Sequence, residues 1–232
     1  MKGHTINPDL LIVEDLLLLL LDDKTGTIAG EGTLYYPLGG AVLVELALRG
    51  EVEPDNSRTL FNGIRIAAVK GELPSDPLLR QAYEKVASKP RGVQELVIEI
   101  GTPLRGEVLD RLVQRGFIRK ESRRVLGLFN TTRMPAQRPD YEAELLERVR
   151  AVLVDGVEPD PRTAALVSLL SASGTLPQFH PAIKWSGKVY QRGKELEAGN
   201  WGADAVNTAI ASTTAAIAAS AATVSVAINS QS

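Results

Sequence analysis

The stretch Leu10 to Asp23, LLIVEDLLLLLLDD, constrains the fold more than any other part of this 232-residue chain. Ten of its first twelve residues are aliphatic, and two adjacent acids, Glu14 and Asp15, interrupt the run. Twelve helical residues extend about 18 Å, well short of the ~30 Å hydrocarbon core of a bilayer. The run therefore does not span a membrane by itself. Nor does it suit a secretory signal, which needs a basic start, an uncharged apolar stretch and a small-residue cleavage site. Here the apolar stretch carries acids and is closed by Asp22, Asp23 and Lys24. A helix apolar on nearly every side belongs inside a protein. The leucines are assigned to the core. Carboxylate pairs such as Glu14-Asp15 are assigned to solvent-facing or capped positions, because neighbours on a helix point apart.

The material for that core is ample, since 44% of the residues are hydrophobic. Only 5% are aromatic, so Leu, Val, Ile and Ala must build it, which favours helices over a β-sandwich. The absence of cysteine excludes disulfides, thiolate catalysis and cysteine-bound zinc or iron–sulfur clusters, and fits a cytosolic setting.

Punctuation along the chain predicts a succession of helices with peripheral hairpins. Gly26 stops the leucine helix, and AVLVELALRG from Ala41 forms a buried helix closed by Gly50. Short strands are expected at EVEP and within Phe61 to Val69, then a helix from Leu78 to Ala87 introduced by Pro74 and Pro77. Val93 to Ile100 suits one helix face. A further helix places Val108, Leu109, Leu112 and Val113 on one side and ends at Arg115-Gly116. FIRKESRRVLGLFN reads as a β-hairpin with its turn near Glu121-Ser122. Helices follow from Asp140, as N-cap, to about Leu153, over PDPRTAALVSLLSASG, and from Ser186 to Ala198. Ala205, Ile210, Ile217, Ala221, Val224 and Ile228 recur near helical spacing and predict a long packed terminal helix. No stretch reads as an interdomain linker. The expectation is one mainly α domain over residues 1–232, a helical bundle with peripheral β-hairpins.

Enzymatic signals are missing. The two histidines, His4 and His180, have no ligand partner three or four residues away, so no metal site is expected. There is no Gly-x-Ser-x-Gly elbow, Walker phosphate loop or full dinucleotide fingerprint, and no cofactor is implied. A non-enzymatic binding protein is the expectation.

Charge supplies the positive signal. From Arg105 to Arg138 run nine basic residues (Arg105, Arg111, Arg115, Arg119, Lys120, Arg123, Arg124, Arg133 and Arg138) against Glu107, Asp110 and Glu121. That segment carries +6 in a chain of net charge −2, so the remainder sums to −8. A local basic segment on an acidic body points to an anion-binding surface. In the hairpin, Val125, Leu126, Leu128 and Phe129 are interleaved with Arg119, Lys120, Arg123, Arg124 and Arg133. Basic residues near an anionic bilayer add about 1 kcal/mol each, and buried apolar side chains add ~1.5–3 kcal/mol. Such a hairpin suits reversible attachment to a membrane. Packing of its apolar face against the body or a second subunit is the alternative, which would make the protein an adaptor that self-associates through the hairpin. A helix followed by a basic hairpin also imitates a winged helix. The chain is acidic overall and lacks a second clearly basic helix, so no nucleic acid partner is expected.

Five segments together, EDLLLLLLDDKTG, GGAVLVELALRGEV, LRGEVLDRLVQRGFI, the hairpin ending in LGLFNTT, and ELEAGNWGADAVNTAIA, resemble the Golgi phosphoprotein 3 (GPP34) family. The likeness covers about residues 6–228, and the chain resembles a bacterial, actinobacterial member that starts almost at the domain core. The resemblance implies a largely helical globule at the cytoplasmic face of a membrane that reads phosphatidylinositol 4-phosphate and contacts client protein tails. In the family a tryptophan and three arginines hold the phosphate. By position, the tryptophan falls on Gly30, the first arginine on Gly39, the second on Thr102 and the third on Arg105, so Arg105 alone matches. Thr102 and the backbone amides of Gly39 and Gly40, placed at a helix start, offer a weaker anion site beside it.

Overall fold

The computed structural model describes residues 10–55, 65–89, 91–125, 129–199 and 214–220, with the strand ladder alone between 122 and 132. The protein is mainly α-helical. Helix α1 (Ile12–Leu20) is buried along its whole length, as the leucine run requires. A 3-10 turn (Glu31–Thr33) leads into α2 (Tyr35–Leu48), the axis of the bundle, buried from Tyr36 to Ala47. Around these two pack α3 (Pro77–Ser88), α4 (Val93–Gly101), α5 (Leu104–Gln114), α6 (Pro139–Arg150) and α7 (Pro161–Ala172). α6 runs on into a π turn (Ala151–Asp155), against which α8 (Gly187–Glu197) packs while also covering α7. Three short strands, β1 (Val52–Pro54), β2 (Arg65–Ala68) and β3 (Arg91–Gly92), form an antiparallel sheet in that order. β4 (Glu121–Val125) and β5 (Phe129–Arg133) form a separate hairpin.

Most expected elements stand within a few residues of their predicted bounds, and three differences have physical causes. First, α2 begins six residues before Ala41, so Gly39 and Gly40 lie inside a helix instead of at its start. A Cβ on Gly39 would overlap the Val97 carbonyl, and one on Gly101 would overlap the Tyr35 carbonyl. Glycine in a helix costs about 1 kcal/mol, but here it lets the α2 and α4 backbones touch. Second, Asp140 is not the N-cap of α6; Arg138 holds that position, with Pro139 opening the helix. Third, Glu121 and Ser122 are strand, not turn, paired with Arg133 and Thr132. At the chain's end, residues 214–220 are helical with Thr214, Ile217 and Ala218 buried. The other members of that predicted helix lie outside the described residues.

The largest departure concerns Glu14 and Asp15. Both were expected to be solvent-facing or capped, yet both are buried, Glu14 completely. Glu14 does cap, from inside: its Oε2 accepts the Leu11 amide at 2.8 Å and the Arg115 Nη1 at 2.8 Å. Its Oε1 accepts Arg111 Nε at 3.3 Å. Glu45, buried on α2, takes the next amide of α1, Ile12, at 2.8 Å, together with Arg162 Nη1 at 3.0 Å. Asp15 accepts Tyr141 Oη at 2.7 Å and Arg162 Nη2 at 3.1 Å, and the same Nη2 reaches the Leu10 carbonyl. The opening amides of a helix have no partner within it, and here buried carboxylates satisfy two of them. Burial pushes Asp15 above the ordinary carboxylate range despite Tyr141 and Arg162. Burial also pushes Asp76 up, but Arg111, which bridges to it at 2.8 Å, outweighs this and holds it below its ordinary value.

Removing one member of a buried ion pair leaves the rest uncompensated, at a cost of ~3–5 kcal/mol. Glu14→Ala is therefore expected to lose about 3–5 kcal/mol in urea unfolding, whereas a loss under about 1 kcal/mol would match an exposed pair.

Candidate functional site

The hairpin is fixed at its root by hydrophobic packing. Phe117, fully buried, meets the ring of Tyr141 of α6 edge to face at 5.0 Å, and the Arg138 guanidinium lies over the Phe117 ring at 4.9 Å from its centre. The Arg119 amide donates to the Pro135 carbonyl at 3.1 Å, and the Gln137 amide to the Phe117 carbonyl at 2.7 Å, which carries the ladder down to the body. Above it the register runs from Glu121↔Arg133 to Val125↔Phe129. Leu126, Leu128 and the side chains of Arg123, Arg124, Val125 and Phe129 lie outside the described residues. At the root, Arg119 pairs with Glu121 at 2.6 Å and Lys120 with Asp110 at 2.6 Å, all four exposed, and Arg133 is exposed.

The basic segment divides in two. Arg111 and Arg115 turn inward to Glu14, so two of its nine cations hold the core together. Arg105, Arg119, Lys120, Arg133 and Arg138 remain on the outside.

Of the positions carried over from the family pocket, Arg105 meets the neighbour of Gly30, and Thr102 stands three residues before Arg105. Arg105 opens α5 and pairs with Glu31 at 2.6 Å, both about half exposed. Glu31 follows Gly30, whose φ of +67° suits glycine and starts the 3-10 turn. Thr102 ends α4, exposed, its hydroxyl donating to the Ile98 carbonyl at 2.6 Å. Gly39 does not join them. It is buried in α2 against α4, beyond the four amides that a helix start leaves free. The helix-start anion site expected from Gly39 and Gly40 is thus absent, because the helix starts at Tyr35. Beside Gly30 opens a cavity of about 460 Å³, lined by Leu21, Asp22, Thr27, Gly30, Gln178 and Phe179 among others. Glu31, the group that meets Arg105, bears no mark in the sequence beyond glycine on both sides.

A second pair of acids lies under the hairpin root. Asp23 accepts a hydrogen bond from the Ala136 amide, and burial holds its carboxyl above the ordinary range. Burial, with the Asp23 charge added, pushes Glu142 up to about 7. Among the described residues no cluster of His, Asp or Glu is arranged to hold a metal ion. No helix among them is long and apolar enough to cross a membrane.

A buried-axis helical bundle with an external basic hairpin defines a class in which the hairpin stands apart from the core. The chain belongs to the Golgi phosphoprotein 3 (GPP34) family, whose model matches residues 12–213. It is also similar to the vacuolar protein sorting-associated protein 74 of Eremothecium gossypii, 28% identical over 174 residues that cover 66% of this chain and 52% of that protein. The chain thus spans about half the length of this curated relative.

The Glu142 carboxyl gives the fold a pH signature. Its folded value near 7 lies above the ordinary 4.5, so the native state holds an extra proton between these two values. Stability from this group is present below 4.5 and is lost as pH rises to about 7. Thermal melts are expected to show Glu142→Gln gaining on the parent protein across that window, and equal pH slopes for the two would refute the assignment.

Proposed function

We propose that this protein binds anionic phospholipid at the periphery of a membrane, on its cytoplasmic face, through the β4–β5 hairpin. One observation supports this above the others: the hairpin stands on a buried Phe117 root with Arg119, Lys120, Arg133 and Arg138 exposed around it. Its strands carry Arg123 and Arg124 and end on Val125 and Phe129. A rigid root with a basic, apolar tip can combine electrostatic attraction with shallow insertion. Two of the segment's arginines, Arg111 and Arg115, are held by Glu14 inside the body and add nothing to this surface. Non-enzymatic binding of this kind accords with membership of the family, and so does contact with a client protein's tail.

The family's headgroup, phosphatidylinositol 4-phosphate, enters this reading at the Arg105 corner. Charge-assisted bonds to phosphate are the strong ones, and this corner offers one arginine. Glu31 already occupies that arginine at 2.6 Å, in the manner of an anion. A phosphate must compete with it. We assign the basic hairpin the general attraction to anionic lipid, and the Arg105–Glu31 pair a weak preference for the phosphorylated headgroup.

Flotation with vesicles of neutral lipid, of anionic lipid, and of neutral lipid doped with phosphatidylinositol 4-phosphate tests both parts. Binding to every anionic vesicle is expected, reduced at least about thirtyfold by Arg123→Glu with Arg124→Glu. Glu31→Gln should strengthen the response to the phosphoinositide, and Arg105→Ala should abolish that gain. Failure to float with any vesicle, with dimerisation that Phe129→Asp abolishes, would replace this reading with self-association through the hairpin.

A further inference from the structure

The exposed large apolar side chains include two aromatic rings that touch each other. Trp185 is 41% exposed and Tyr190 49% exposed, and they meet edge to face with centroids 6.1 Å apart. The chain has only two tryptophans, so an exposed one is a notable use of the residue. The local fold explains why the rings point outward. Ser186 caps α8, its hydroxyl accepting the Val189 amide at 3.3 Å, and the buried face of the helix is Val189, Gly193 and Leu196. Tyr190 falls off that face, and Trp185 sits just before the cap. The Lys194 ammonium lies 5.8 Å from the Tyr190 ring centre.

Charge around the pair is net positive, with four cations against two acids, Glu195 and Glu197, from Pro181 to Glu197. From Pro181 to Lys194 the chain carries Lys184, Lys188, Arg192 and Lys194 and no acid at all. Arg192 and Lys194 reach on to Glu195 at 3.2 Å and Glu197 at 2.9 Å. Lys188 donates to the Val154 carbonyl at 2.9 Å. Lys184, exposed beside Trp185, has no carboxylate partner among the described residues.

We infer that the Trp185–Tyr190 face is a second membrane-contact surface, seated at headgroup level on an anionic bilayer. This rests on the membrane reading above and adds to it a site remote from the hairpin. Trp and Tyr favour the boundary where one side of the ring is apolar and the other wet. Lysine lays its alkyl stem along such rings and keeps its ammonium among the phosphates. An apolar pocket on a protein partner would match the rings and leave Lys184 unanswered, whereas an anionic lipid surface answers the rings and the lysine together. The hairpin root packs on Tyr141, near the start of α6, while Lys188 reaches Val154 in the π turn beyond its end. At ~1.5 Å per residue these points are about 20 Å apart. Two weak contacts on one rigid body reinforce each other when both can engage.

Trp201→Phe leaves Trp185 as the sole indole fluorophore and makes the test direct. With vesicles containing phosphatidylserine, emission is expected to move to the blue and to be quenched by spin labels placed just below the headgroups. Vesicles of phosphatidylcholine alone should do neither. Trp185→Ala and Tyr190→Ala should each weaken partitioning about tenfold, and Lys184→Glu at least about fivefold, with unchanged far-ultraviolet circular dichroism. If the protein floats with anionic vesicles while Trp185 emission stays unshifted and unquenched, this inference fails and the hairpin reading stands. If the parent protein floats with no vesicle, both fail. A blue shift that grows with protein concentration in the absence of lipid would assign the face to a second copy of the chain and overturn the proposal.

Discussion

A carboxylate taken out of water costs several kcal/mol unless charge and hydrogen bonds meet it, and α1 buries two on adjacent residues. Among the described residues, the helices packed on α1 answer with polar groups: Glu45 from α2, Arg111 from α5 with Arg115 just past its end, Tyr141 from α6 and Arg162 from α7. The leucines of α1 supply cohesion but are alike on every side, so they say little about which neighbour goes where. The charges do. Each carboxylate oxygen is met by a donor from a particular neighbour, and sliding α5 or α7 by one turn would strand a guanidinium against leucine. The network therefore fixes the register of the bundle, and the hydrophobic run fixes that there is a bundle.

This division explains what the amino-acid pattern discloses and what it hides. The burial of α1 follows from a run apolar on all sides, and the starts of α3 and α7 follow from the prolines that open them, Pro77 and Pro161. The fate of Glu14 and Asp15 does not follow, because periodicity shows which way a side chain faces but not what awaits it there. Arg111 and Arg115 lie 97 and 101 residues along the chain from Glu14. A count of local charge sees them as surface cations, and so overstates the positive field of the segment. The hairpin was legible as a hairpin, but its turn was misplaced, since a polar pair such as Glu121-Ser122 is equally at home in an exposed strand.

The candidate site was legible to a lesser degree. Arg105 meets Glu31, the neighbour of Gly30, whereas Gly39 is buried against α4. The aromatic pair at the start of α8 is hidden in the sequence for a different reason. Its four cations sit in a short acid-free stretch of a chain whose main basic segment lies elsewhere, and pairing of Trp185 with Tyr190 becomes visible only once Ser186 has turned the chain into a helix.

The glycine contact between α2 and α4 has a mechanical consequence for the Arg105–Glu31 pair. Because Gly39 and Gly101 bring two backbones together with no side chain between them, the stretch from α4 into α5 is clamped against the bundle axis, and Arg105 is delivered from a stiff mount. Glu31, by contrast, rides on a three-residue 3-10 turn that begins at a left-handed glycine. Opening the pair thus falls to the acid's side of the gap: the loop yields, and the arginine waits in place.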